Sequence, residues 1–133
     1  MEELELFIDE VRDLLNEMEL SFLSAENSNE SWQEAMLNAF RGMHTIKANS
    51  MYLDYEKVSR CCHLAEGFLA NEDHSPRRPE PEEFEILLNF VDCMNHFIEE
   101  LGLSGEANQS LLNSWIFSYD KYIHGKGINN EIE

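Results

Sequence analysis

Met36-Leu37-Asn38-Ala39-Phe40-Arg41-Gly42-Met43-His44-Thr45-Ile46-Lys47, answered beyond Tyr55 by Val58-Ser59-Arg60-Cys61-Cys62-His63-Leu64-Ala65-Glu66, is the stretch that decides how this chain folds. One stripe at helical spacing runs through Trp32, Met36, Ala39, Met43, Ile46 and Ser50. A second runs through Val58, Cys61, Cys62, Ala65, Phe68 and Leu69. The short break between them predicts a helical hairpin turning near Tyr55, with Asp54 as the N-cap of its second arm. Residues equally far from such a turn lie at the same height along the pair. His44 and Glu66 match in this way, as do Lys47 and His63, so the hairpin gathers all four on one patch.

Working outward, Leu4, Phe7, Ile8, Val11, Leu14, Leu15, Met18 and Phe22 fill one face of a first helix, and acidic residues fill the other. Asn27 to Ser31 breaks that pattern. The stretch from Asn71 to Pro81 carries three prolines and reads as the longest loop. Pro81, Glu82 and Glu83 suit a helix start. Phe84, Leu87, Leu88, Val91, Met94, Ile98 and Leu101 continue that helix to an expected end at Gly102. Leu111, Leu112, Trp115, Ile116, Tyr119, Tyr122 and Ile123 give a fifth helix. The pattern predicts an all-α protein, an antiparallel four-helix bundle with a fifth, C-terminal helix. One domain is expected over residues 1–124, with 125–133 as a flexible tail or the start of a linker to further domains.

Charge narrows the functional classes. The 133 residues carry 27 acidic against 9 basic side chains, a net −18 that repels nucleic acid and anionic lipid. Residues 41 to 60 run against this trend, with Arg41, Lys47, Lys57 and Arg60 facing only Asp54 and Glu56. No apolar run approaches the ~20 residues of a membrane span. Cys61, Cys62 and Cys93 make an odd set that builds no disulfide framework. A cytoplasmic location, with neither nucleic-acid nor membrane partners, is the expectation.

The patch has a definite chemistry. His44 falls at the border of its stripe, where an imidazole is partly exposed. A carboxylate on Nδ1–H fixes one tautomer and leaves the Nε2 lone pair free as a nucleophile. Glu66 is that orienting group, Lys47 is placed for the charge of an arriving phosphoryl group, Arg41 is a candidate helper one turn back, and His63, level with Lys47, is read either as tuning Glu66 or the phosphoryl charge or as making a structural hydrogen bond. His74, His96 and His124 read as solvated side chains. A carboxylate-bridged metal bundle needs Glu-x-x-His pairs, and none of the histidines has a glutamate three residues before it. Cys93-x-x-His96 and Cys61-Cys62-His63 are half-motifs at most, so no metal site is expected.

His44-Thr45-Ile46-Lys47 with His63 and Glu66 resembles the signature of histidine-containing phosphotransfer (HPt) domains, most closely those at the N-terminus of chemotaxis sensor histidine kinases. Phe7-Ile8-Asp9-Glu10-Val11 resembles their first helix. The resemblance is specific over residues 36–69 and looser over 4–123. It implies a phosphoryl carrier in a two-component phosphorelay without autonomous catalysis. A histidine kinase catalytic domain would place phosphate on His44 Nε2, and an aspartate of a response-regulator receiver domain would accept it. No cofactor is implied in this domain, since ATP and Mg²⁺ belong to the partners, and an isolated domain of this type is expected to be monomeric. The rival reading is a non-phosphorylated HPt-like adaptor that binds a kinase or regulator. Ala48 stands where the family usually carries glycine, which bears on the choice of partner.

Overall fold

The computed structural model describes residues 2–29 and 31–132, with side chains through residue 126. The chain forms α1 (Glu2–Asn27), α2 (Trp32–Tyr52), α3 (Glu56–Glu66), α4 (Pro81–Ser104) and α5 (Ser110–Ile132). Among the described residues the only β feature is an isolated bridge between Ala70 and Pro76. Helix α1 packs against α2 and α4, α2 packs against α3, and α5 seats against both α3 and α4.

The hairpin turns where the periodicity places it, by a different device. Asp54 is not an N-cap. It sits in the left-handed region at φ 64°, while Tyr55 N–H donates to Ser50 O (2.8 Å) and Asp54 N–H to Met51 O (3.2 Å). That pair of bonds is a Schellman closure of α2, in which a short polar side chain stands in for the usual glycine. Tyr55 then anchors the turn in the core, 5.4 Å from the Phe7 ring and 5.8 Å from that of Phe97.

Helix α4 begins at Pro81 as expected, and Glu80 and Glu83 form a reciprocal capping box there. It does not end at Gly102. The helix runs to Ser104, and Gly105, at φ 79°, takes the left-handed cap with its N–H on Leu101 O (2.9 Å). Phe68 and Leu69 belong to the turn after α3, yet both are buried as their stripe requires. The tail expected from residue 125 lies partly outside the described side chains, and the backbone of 125–132 continues α5 as helix.

The core is one cluster built from every helix. It includes Leu15, Met18 and Phe22 of α1, Met36, Met43 and Ile46 of α2, Cys61 and Cys62 of α3, Leu87, Phe90 and Met94 of α4, and Leu112 and Trp115 of α5. Burial pushes the Cys61 thiol up to about 12, and Cys62 shifts the same way. Gly42 faces α1, and a Cβ there would meet Met18 Cε at 3.4 Å, an ordinary contact that leaves no room for a larger side chain.

Helix α5 is held by aromatic contacts and by hydrogen bonds, including a long one from Cys61 Sγ to Leu112 O (3.9 Å). Trp115 packs edge-on to Phe90 at 5.3 Å and donates from Nε1 to Ile86 O at 2.9 Å. Tyr119 and Tyr122 flank Phe68 at 5.4 and 5.8 Å. In the long loop, Arg78 donates to Asn29 Oδ1, Ala25 O and Ser28 O while its guanidinium lies 5.9 Å over Trp32, so the loop closes the C-terminus of α1. No helix among the described residues is long and apolar enough to cross a membrane.

Candidate phosphoryl site

The outward face of α2 and the end of α3 meet at Glu66. As the last residue of α3 it turns its carboxylate under α2 and is only 8% exposed. Burying a carboxylate requires partners, and each oxygen has one. Oε2 lies 3.2 Å from His44 Nδ1, and Oε1 accepts a hydrogen bond from Lys47 Nζ at 2.6 Å. The matched heights in the hairpin thus become contacts across residues far apart in sequence.

These distances assign roles to atoms. Beside an ionised carboxylate, Nδ1 is the ring nitrogen that carries hydrogen, so Nε2 keeps its lone pair. The His44 side chain is 62% exposed, whereas Lys47 is 20% exposed and folded back onto Glu66. The ring of Phe40 lies nearly parallel to that of His44, 15° apart with centroids at 6.3 Å, and limits its swing on one side. The site is a fixed, open imidazole backed by a buried ion pair.

Two of the expected residues stand further off. His63 is exposed, and its Nδ1 is 3.8 Å from Glu66 Oε1, beyond hydrogen-bond range. Arg41 is exposed and its side chain makes no hydrogen bond or ion pair among the described residues; its carbonyl accepts a bond from Thr45 Oγ1 at 3.0 Å. His74, His96 and His124 are all exposed and away from this patch. A bond from Asn49 Nδ2 to Glu10 Oε1 (3.1 Å) ties α1 to α2 on a different face of α2 from His44 and Lys47, and periodicity gave no signal for it because both residues lie off the apolar stripes. An open groove of about 850 Å³ between α4 and α5 has no lining residue from α2 or α3 and is separate from this site.

A family model for the Hpt domain matches residues 2–104. Among solved structures, the chain is similar to the phosphorylated P1 domain of CheA3 in complex with CheY6 from R. sphaeroides. The TM-score is 0.73 and the identity 26%, over 90% of this chain and 97% of that one. The match over most of the length, together with a five-helix fold that presents an exposed histidine backed by a glutamate and a lysine, leads to one conclusion: the chain belongs to the Hpt domain family.

Proposed function

We propose that this domain carries a phosphoryl group on His44 Nε2, taking it from ATP bound to a histidine kinase domain and giving it to an aspartate of a response-regulator receiver domain. The observation that carries this reading is the Glu66 carboxylate shared between His44 Nδ1 and Lys47 Nζ. In the first step the Nε2 lone pair attacks the γ-phosphorus, the N–P bond forms, and the bond to the ADP oxygen breaks. The ring gains positive character while Nδ1 keeps its proton, and Glu66 stabilises that charge from behind. In the second step a receiver carboxylate oxygen attacks phosphorus, the N–P electron pair returns to Nε2, and the neutral ring is restored.

Lys47 has two tasks in this scheme. Before transfer it balances Glu66; once the phosphoryl group arrives, its flexible ammonium swings towards the phosphoryl oxygens. Arg41, exposed one turn before His44, adds positive field at the same surface, and His63 adjusts the charge felt by Glu66. The chain has no glycine-rich phosphate loop, so ATP and Mg²⁺ are assigned to the kinase partner, and the domain has no catalysis of its own. Ala48, Met51 and Tyr52 follow His44 on the exposed side of α2 and suit the docking of a receiver domain. We place this monomeric carrier in the cytoplasm, in a chemotaxis-type pathway.

Incubation with ATP and a kinase ATP-binding domain tests the reading. The expected product is an acid-labile, base-stable phosphoprotein that passes its label to a receiver domain. His44→Gln should lose the label and keep its helical content. Labelling that persists in this variant refutes the assignment.

A further inference from the structure

Glu83 lies outside the phosphoryl site, is only 2% exposed, and accepts four hydrogen bonds. Oε1 receives Arg77 Nη1 (2.7 Å) and the Glu80 backbone N–H (2.9 Å). Oε2 receives Arg77 Nη2 (3.2 Å) and the Tyr122 hydroxyl (2.8 Å). Helix capping accounts for the Glu80 bond alone. The other three point towards α3: Arg77 Nη1 also donates to Phe68 O at 3.1 Å, and Arg77 backbone N–H to Leu69 O at 2.9 Å. Phe68 and Leu69 form the turn that hangs from Glu66, whose carbonyl accepts the N–H groups of Leu69 (3.0 Å) and Ala70 (3.3 Å). Tyr122 holds the same turn a second way, packing edge-on against the Phe68 ring. An unbroken chain of contacts therefore leads from α5 to the backbone of Glu66.

We propose that Arg77, Glu83 and Tyr122 are positioning residues for the phosphoryl site, fixing the turn after α3 so that the Glu66 carboxylate stays in register with His44 and Lys47. The proposal rests on the reading of His44 as the phosphoryl acceptor. Glu66 is the final residue of its helix, where backbone order is ordinarily weakest. Its contact to His44 Nδ1 is 3.2 Å, the long end of the N–H···O range, so a shift of a few tenths of an ångström breaks it. A helix end placed this finely needs an external brace, and Arg77 grips two consecutive carbonyls of the turn that follows it. Tyr122 lies beyond residues 2–104, the part matched by the family model, so the brace brings α5 into the service of the site.

Tyr122→Phe removes one hydroxyl and keeps the ring on Phe68. Arg77→Lys keeps the charge but loses the fork that joins Phe68 O to Glu83. In both variants of the full chain, the ¹⁵N resonances of the His44 ring should move towards those of a tautomer mixture. Phosphorylation at saturating kinase domain should slow about fivefold, the scale of a sub-ångström misplacement rather than the hundredfold of a full one. Added to Glu66→Gln, either change should cause no further loss of rate. The proposal is overturned if the variants lower the melting temperature but leave the ring resonances and the rate unchanged, or if the loss persists in full in the Glu66→Gln background. Should the parent protein take no phosphoryl group, the ring resonances still decide the positioning role, and only the reading of His44 fails.

Discussion

One ring nitrogen of His44 must be held while the other is left free, and Glu66 meets that need with a single oxygen because Lys47 occupies the second. Glu66→Gln keeps the size of the side chain but lets the amide face the ring with either its donor or its acceptor. The tautomer is then no longer fixed, and phosphorylation should slow by at least about tenfold with the fold intact, as seen in a time course of label uptake. An unchanged rate would mean that the ring needs no orienting group. Lys47→Met leaves the buried Glu66 carboxylate without its counter-charge and should destabilise the fold as well as slow transfer. Chemical denaturation measured beside the rate separates the two effects.

Among the elements, α5 carries the sharpest expectation. Trp115 is buried, packs on Phe90 and donates to Ile86 O, so Trp115→Ala should cost about 3–5 kcal/mol in urea unfolding, a large fraction of the roughly 5–15 kcal/mol margin of a domain. Gly42→Ala should be neutral or stabilising by up to about 1 kcal/mol, because the added methyl meets Met18 at ordinary contact distance and gains helix propensity. A bulky residue there should instead force α1 from α2. The helices and the hairpin could be read from the chain because apolar stripes record which face is buried, and the pairing of His44 with Glu66 followed from the turn at Tyr55. Helix ends were less readable. Asp54 serves as a left-handed closing residue rather than an N-cap, and Gly105 rather than Gly102 stops α4; local composition suits either choice, and packing decides between them. The Arg77–Glu83–Tyr122 contacts escaped for a related reason. Glu83 reads as a routine first-turn acid, and nothing in its neighbours foretells that a loop arginine and a distant tyrosine will bury it.

At the scale of the whole molecule, acid and thiol chemistry report the same core. Burial alone would push the Glu83 carboxyl up, but the bonds from Arg77, the Glu80 backbone and Tyr122 outweigh it and hold the group below its ordinary value of 4.5. A depressed folded value means that its stabilisation is complete above 4.5 and is lost as the pH falls through the lower folded value. Melting temperature should therefore fall on acidification, and Glu83→Gln should be less stable at neutral pH with a shallower acid slope. Cys61 and Cys62 are fully buried, so iodoacetamide at neutral pH should reach Cys93 alone in the native state and all three thiols only after unfolding. The contacts of Glu66 with His44 Nδ1 and with Lys47 leave one nitrogen of His44 free, and ³¹P–¹⁵N coupling in the phosphorylated, ¹⁵N-labelled protein observes it directly. The coupling should appear on Nε2 of His44 and nowhere else; a phosphoryl group found on Nδ1, or on another residue, would contradict the arrangement of His44, Glu66 and Lys47 described above.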